Sequence, residues 1–189
     1  MIILASQSPR RKEILEDILG DIPFKTIPSS FDEKTIQEKN VHKLCLEEAR
    51  GKGKTVSLDN PEDYVISSDT MVCYDNKLLG KPKDYQDALD TLRMLSGNTH
   101  EIVTAYSIFK NGEELLHRVC IAHLFIEKMA DLEIEEYLDT GSPFDKAGSY
   151  GVQDSDFITS KIVDGDIFTI MGLPRDDLED DLVKLKIID

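Results

Sequence analysis

The sequence predicts an α/β protein, a single domain over residues 1–189 in which a mixed, twisted sheet is flanked by helices. Three observations predict it. Short apolar runs suited to buried strands, IILAS at 2–6 and YVISSDTMVCY at 64–74, alternate with segments of helical apolar spacing. Asn111-Gly112 and Asp164-Gly165 stand between apolar runs, a strong hairpin signal, so some strands pair antiparallel. No internal repeat and no Pro/Gly/Ser linker divides the chain, and 189 residues suit one core of ordinary size.

Taken in order, IILAS is the first strand. Ser8-Pro9 then supplies an N-cap and a first helical residue, Ile14, Leu15, Ile18 and Leu19 form one apolar face, and Gly20 ends the helix. A second helix over about 40–57 carries Val41, Leu44 and Ala49; Gly51 and Gly53 inside it each cost about 1 kcal/mol relative to alanine. After the strand at 64–74, Ala88, Leu89, Leu92 and Leu95 follow the capping residue Asp84 and stop at Gly97. EIVTAYSIF (101–109) and LLHRVCIAHLFIE (115–127) are strands joined through Asn111-Gly112. Ile134, Tyr137 and Leu138 mark a helix from Asp131 to Gly141, and DFITSKIV and IFTIM are read as the last two strands.

The charge balance narrows the partners. There are 37 carboxylate side chains against 22 Lys and Arg, a net charge of −15, and that field repels nucleic acid and anionic membranes. An anionic ligand must therefore meet a local basic cluster. No run reaches the roughly 18 apolar residues of a membrane span, and the start lacks a basic leader, so the chain is read as soluble and cytoplasmic. Cys45, Cys73 and Cys120 are widely spaced and without a CxxC pair, which suggests buried thiols and neither a disulfide framework nor a zinc site.

Three stretches carry chemistry. In LASQSPRRKEIL (4–15), Ser8, Arg10 and Arg11 occupy a strand-to-helix loop, where free backbone N–H groups and two guanidinium forks suit a phosphate. The plainer alternative is that Ser8 only caps the helix and the arginines face water. Neither GxxxxGK[ST] nor a strand followed by GxGxxG occurs. In SSDTMVCYDNKLLGKPKD (67–84), Asp69 ends a buried run, where a lone carboxylate must be bonded, paired or holding a metal, and Lys81 sits in a Gly-Lys-Pro turn. A turn cap and a rim lysine would account for the same residues. In DTGSPFDKAGSYGVQDSD (139–156), Lys146 and Gln153 lie in a long polar loop of the kind that carries function, and a glutamine amide can read the edge of a base.

Together these stretches resemble the Maf family of nucleotide pyrophosphatases. Leu4-Ala5-Ser6-Gln7-Ser8-Pro9-Arg10-Arg11 matches its LASxSPRR, Ser68-Asp69-Thr70 with Gly80-Lys81-Pro82 its ADT and GKP, and Leu95-Ser96-Gly97-Asn98-Thr99-His100-Glu101-Ile102-Val103 its LSGxxHxV with the apolar position shifted by one residue. Asp145-Lys146-Ala147-Gly148-Ser149-Tyr150-Gly151-Val152-Gln153 matches DKAGxYGIQ, and Gly165-Asp166 with Gly172-Leu173-Pro174 matches the late GDxxxxxGLP. The matches are collinear over nearly the whole chain.

The resemblance implies a fold similar to inosine triphosphatases, with a substrate cleft, and hydrolysis of a nucleoside triphosphate to monophosphate and pyrophosphate. It also implies a divalent cation, Mg²⁺ or Mn²⁺, held by Glu33 and Asp69, with Asp69 as general base. Phosphate contacts fall by the same analogy to Ser8, Arg11, Lys52, Lys81 and Lys146. Lys52 is placed by counting seventeen residues back from Asp69, although Gly51 and Gly53 stand where the family's helix is alanine-rich. Arg10, Thr70 and Gln153 match the subgroup that acts on dTTP and UTP; the methylated-GTP subgroup tends to an aromatic residue, Gln and Glu there. Asp154-Ser155-Asp156 replaces the family's Gly-x-Gly after the glutamine, so the loop near the base is expected to be stiffer or more acidic. The family is linked to removal of unwanted nucleotides and to cell-division arrest, and its members often form homodimers. A non-catalytic nucleotide sensor, a nucleotidyltransferase and a methylated-GTP pyrophosphatase stay open as alternatives at this point.

Overall fold

The computed structural model describes residues 1–189. A seven-stranded sheet runs in the order β2-β1-β3-β5-β6-β7, with β4 paired to β3. The strands are β1 (Ile2–Leu4), β2 (Phe24–Thr26), β3 (Tyr64–Tyr74), β4 (Lys77–Leu79), β5 (Thr99–Lys110), β6 (Glu113–Ile126) and β7 (Ser160–Asp164). β1 is parallel to β2 and β3, whereas β4 and β7 are antiparallel to β3 and β6, so the sheet is mixed as expected. The helices are α1 (Pro9–Leu19), α2 (Val41–Asp59), α3 (Tyr85–Leu95), α4 (Asp131–Asp139), α5 (Ile167–Met171) and α6 (Arg175–Lys184). None is long and apolar enough to cross a membrane.

Residue contacts gather into two compact units. The first comprises Met1–Thr70, Val103–Cys120 and Asp166–Asp189; the second comprises Met71–Ile102 and Ile121–Gly165. In the first unit β1 is apolar throughout because both of its faces are covered. Ile2 and Leu4 join Ile14, Leu15 and Ile18 of α1, Ile66 and Tyr106 of the sheet, and Leu178 and Leu182 of α6. Ile3 and Ala5, pointing the other way, join Val56 of α2 with Val65 and Phe109. Leu15 is fully buried, and truncating it to alanine costs about 2–5 kcal/mol. In the second unit α3 packs on α4, with Ala88, Leu92, Ile134 and Leu138 buried.

The predicted helix starts are physically made. Ser8, Asn40 and Asp84 each accept a hydrogen bond from a backbone N–H of the first turn. Asp131 is the first residue of α4 rather than its cap, and the Glu133 carboxylate reaches back to the N–H of Ala130 at 2.7 Å. Asn111 and Gly112 turn the β5–β6 hairpin at φ values of 51° and 75°. The helical glycines have a packing reason: the ring of Phe31 lies over Gly51, and Ser67 and Phe109 lie against Gly53, so a Cβ at either position would collide with them. Cys45, Cys73 and Cys120 are free thiols, the first two buried and the third partly so.

One predicted strand is a helix. IFTIM forms α5, because Asp166 Oδ1 accepts from the N–H groups of Phe168 and Thr169 at 2.7 and 2.9 Å, and Gly172 closes the turn at φ 102°. Asp164-Gly165 is accordingly no hairpin turn; it links β7 to that cap. β2, β4 and α6 are additions to the sequence reading.

Candidate active site

β3 positions the central carboxylate. Its period of two places Asp69 on the same side as Ser67, whose hydroxyl donates to Ala49 O of α2 at 2.7 Å, and opposite to Ser68 and Thr70. Asp69 is only 8% exposed, and its Oδ1 accepts from Lys52 Nζ at 2.5 Å. Lys52 Nζ also lies 2.7 Å from Glu33 Oε1. Glu33 opens a 3-10 turn, Glu33–Thr35, that Asp32 caps through the N–H of Lys34.

A residue absent from the sequence reading completes the cluster. Glu48, one helical turn before Lys52 on α2, brings a carboxylate oxygen within 4.8 Å of those of Glu33 and Asp69. Burial, then the charges of Asp69 and Glu33, push Glu48 up to about 7, against the pull of Lys52. Burial opposes the charge on Lys52, yet Asp69 and Glu33 together outweigh it and raise the lysine's pKa. Three converging carboxylates are the hard oxygen donors that a divalent cation takes, and the set fits such an ion chemically. The spacing of Glu48 and Lys52 on one helix face was the signal available in the sequence.

On the reverse face of β3 stands Arg11. It is partly buried, and each of its three guanidinium nitrogens donates to protein: Nε to Gly172 O at 2.8 Å, Nη1 to Ser68 O at 2.9 Å, Nη2 to Thr70 Oγ1 at 3.0 Å. Burial lowers its pKa, with the charge of Asp69 acting in the opposite sense. Ser8 Oγ accepts from the Arg11 N–H at 3.4 Å as the cap of α1, and Arg10 is exposed. The hydroxyl of Thr70 also contacts Thr104 Oγ1 at 2.9 Å.

The second unit gathers the remaining predicted residues. Lys81 is exposed in the turn after β4, and the N–H of Gly148 donates to Gly80 O at 3.1 Å, tying that turn to the loop that carries Lys146 and Gln153. Lys146 Nζ donates to Ser142 O, Ser142 Oγ and Asp145 Oδ1 at 2.7, 2.9 and 2.8 Å, so its ammonium braces the loop. The Gln153 amide and Lys146 Cε both lie against Gly151, where a Cβ would come within 2.8 Å of Gln153 Nε2 and 3.0 Å of Lys146 Cε. Asp154 Oδ2 accepts from Tyr137 OH at 2.6 Å and Ser142 Oγ at 2.9 Å, and Tyr137 OH accepts from the N–H of Gly151 at 3.1 Å. The acidic replacement after Gln153 therefore fastens the loop to α4. Tyr150 OH meets the buried His100 Nε2 at 2.5 Å, with the rings edge to face.

The fold and the first-unit cluster define an α/β protein whose sheet carries a carboxylate–lysine centre on a largely buried strand. The chain belongs to the Maf-like protein family, whose profile matches residues 1–185. A Clostridium botulinum (strain Kyoto / Type A2) protein named dTTP/UTP pyrophosphatase is 40% identical over 190 residues, covering 97% of this chain and 96% of the relative. A protein of the same name from Geobacillus sp. (strain WCH70) is 40% identical over 174 residues, covering 92% and 91%. Among solved structures, a HAM1 protein from Coxiella burnetii superposes with a TM-score of 0.47 at 14% identity, covering 97% of this chain and 98% of that one. A nucleoside-triphosphatase / dITP/XTP pyrophosphatase from Mycobacterium abscessus gives 0.44 at 16% identity, covering 68% and 74%.

Proposed function

We propose that this chain hydrolyses dTTP and UTP, and modified pyrimidine nucleotides of the same edge chemistry, to the nucleoside monophosphate and pyrophosphate. The observation that carries the reading is the Lys52–Asp69 contact of 2.5 Å with Glu33 and Glu48 in reach. Water attacks the α-phosphorus, its proton passes to Asp69, and the bond from that phosphorus to the bridging oxygen breaks so that pyrophosphate leaves. Lys52 orients the Asp69 carboxylate and places a cation beside the transferring phosphoryl group. Glu33, Glu48 and Asp69 would hold Mg²⁺ or Mn²⁺, which when bound supplies positive charge to the phosphates and acidifies water.

Ser8, Lys52 and Lys81 are the proposed phosphate contacts, Arg10 is kept as a base-specificity position, and Lys146, whose three N–H donors go to Ser142 and Asp145, braces its loop instead. Arg11, spent on protein acceptors, is left out of that set. The base assignment is supported by the names of relatives at about 40% identity and by Gln153, whose amide donates and accepts as the N3–H and carbonyl edge of thymine and uracil requires. A nucleotide panel with product identification, run with and without chelator, tests the whole reading. Monophosphate and pyrophosphate from dTTP and UTP, abolished by chelator, is the expected result. No turnover would leave a nucleotide sensor, preference for methylated GTP would move the chain to the other subgroup, and transfer to an acceptor would make it a nucleotidyltransferase.

A further inference from the structure

Arg11 holds β3 at two points, the carbonyl of Ser68 and the side chain of Thr70, and the residue between them is Asp69. Because side chains alternate along a strand, this grip comes from the face opposite to the Asp69 carboxylate and leaves that carboxylate facing Lys52. The third point is Gly172 O, which accepts from Arg11 Nε and from Ser68 Oγ, both at 2.8 Å.

The hydroxyl partners of the clamp have only one consistent proton order. Arginine can only donate and a carbonyl can only accept. Thr104 Oγ1 donates to Thr169 O at 2.7 Å, so it must accept from Thr70, whose hydroxyl in turn accepts from Arg11 Nη2. The result is a directed chain, Arg11 to Thr70 to Thr104 to the carbonyl of Thr169, in which each bond polarises the next. The proton of Thr70 points along this chain toward Thr104.

Gly172 completes the seat. It sits at φ 102°, where residues with a side chain are strained, and a Cβ there would lie 3.0 Å from Thr70 Oγ1 and 3.1 Å from Arg11 Nε. Its N–H donates to Phe168 O and Thr169 O at 3.0 and 3.2 Å, which closes α5. The late Gly-Asp and Gly-Leu-Pro elements therefore build one object: Asp166 starts α5, and Gly172 ends it with its carbonyl turned to Arg11.

We propose that Arg11 is a positioning residue: seated on Gly172 and on the Thr70–Thr104–Thr169 chain, it fixes the β3 backbone on both sides of Asp69 and so aims the carboxylate, and it does not ligate the triphosphate. The proposal rests on the reading of Asp69 as the base. A misplacement of about 1 Å at a reacting group costs roughly a hundredfold in rate, so loosening the clamp acts on kcat.

The test is Arg11→Lys, which keeps the charge and removes the fork, together with Thr104→Val, which cuts the chain at a shielded hydroxyl, and Gly172→Ala. Steady-state kinetics on dTTP is paired with calorimetric affinity for a dTTP analogue non-hydrolysable at the α–β bridge. Expected are kcat losses of about tenfold or more for Arg11→Lys and Gly172→Ala and about threefold to tenfold for Thr104→Val, with KM and analogue affinity within about threefold of wild type. A tenfold loss of analogue affinity in Arg11→Lys with kcat preserved would overturn the proposal in favour of a phosphate ligand. Unchanged kcat in Thr104→Val, the variant that serves if Arg11→Lys does not fold, would overturn it as well. Asp69→Asn measured alongside separates the two layers, because near-normal turnover there sinks the base assignment itself, whatever Arg11 does.

Discussion

Lys52 Nζ lies 2.5 Å from Asp69 Oδ1, across seventeen residues of sequence. α2 and β3 are packed so that a lysine on one and a carboxylate on the other meet in a nearly buried place, where a charge is tolerated only with a partner. Asp69→Asn keeps the shape and still accepts from Lys52, but it cannot take a proton from water. Turnover should fall by roughly 10²–10⁴ with the thermal midpoint close to wild type. Initial rates together with a melting curve check this, and an Asn variant with near-normal rates would remove Asp69 from the mechanism.

Glu48 supports a prediction readable without turnover. Three carboxylates within 4.8 Å of one another, with Lys52 paired to two of them, leave an excess of negative charge, which a divalent cation relieves, and an ion that binds only the folded state stabilises it by mass action. Mn²⁺ or Mg²⁺ should raise the melting temperature in a concentration-dependent way, and Glu48→Gln should shift the midpoint of that titration to at least about tenfold higher metal, since loss of even an outer partner of a metal ligand costs about that much. Identical titrations for the two proteins would exclude Glu48 from the ligand set.

Sequence and structure agree where the signal is periodic and long. The apolar run at 64–74 became β3 with the same bounds, and the Ser8, Asn111-Gly112 and Asp84 signals each mark the element they start or join. They part where tertiary context decides. IFTIM is rich in β-branched and aromatic residues, yet Asp166 and Gly172 enclose it as a helix. α6 escaped because RDDLEDDLVK carries only Leu178 and Leu182 as buried apolar anchors among charges. At the site, Asp69 was legible as a carboxylate ending a buried apolar run, whereas Lys52 was placed only through the family resemblance. The hold on Arg11 was not legible, because two of its three acceptors are backbone carbonyls, of Gly172 and Ser68, which no pattern of side chains reveals.

His100 yields a pH prediction. It is 2% exposed, its Nε2 is bonded to Tyr150 OH and its Nδ1 has no partner, and burial pushes its pKa from 6.5 down to about 4. Between those values the unfolded chain carries the proton and the folded chain does not, so stability falls as pH drops from about 6.5 and this contribution is fully lost below about 4. The loss is on the order of 3 kcal/mol. His100→Gln should flatten that part of the profile, measured as denaturant midpoints from pH 7 to 4. A variant that keeps the full wild-type slope would show that other groups set it.

The last prediction concerns the base. Gln153 and Lys146 meet at Gly151, in a loop that Asp154 fastens to Tyr137 and Ser142, so the amide is presented from a braced segment rather than a loose tip. Gln153→Glu keeps the size and replaces a group that donates and accepts with one that, ionised, only accepts. A thymine or uracil carbonyl would then face a carboxylate. Sites built to hydrogen-bond their substrate can lose up to ~10⁴-fold in discrimination when a partner is left unpaired. Thr70 has its proton committed to Thr104, so under the proposed reading the Gln153 amide carries a larger part of the discrimination. The expected loss in kcat/KM for dTTP and UTP is about tenfold to a hundredfold, without a full switch to methylated GTP. Gly151→Ala should give a related loss, because its Cβ would press on Gln153 Nε2 at 2.8 Å and move the amide while leaving its chemistry intact. Kinetics of both variants on dTTP, UTP and GTP decide the matter: unchanged efficiency with dTTP and UTP in Gln153→Glu would mean that this glutamine does not read the base.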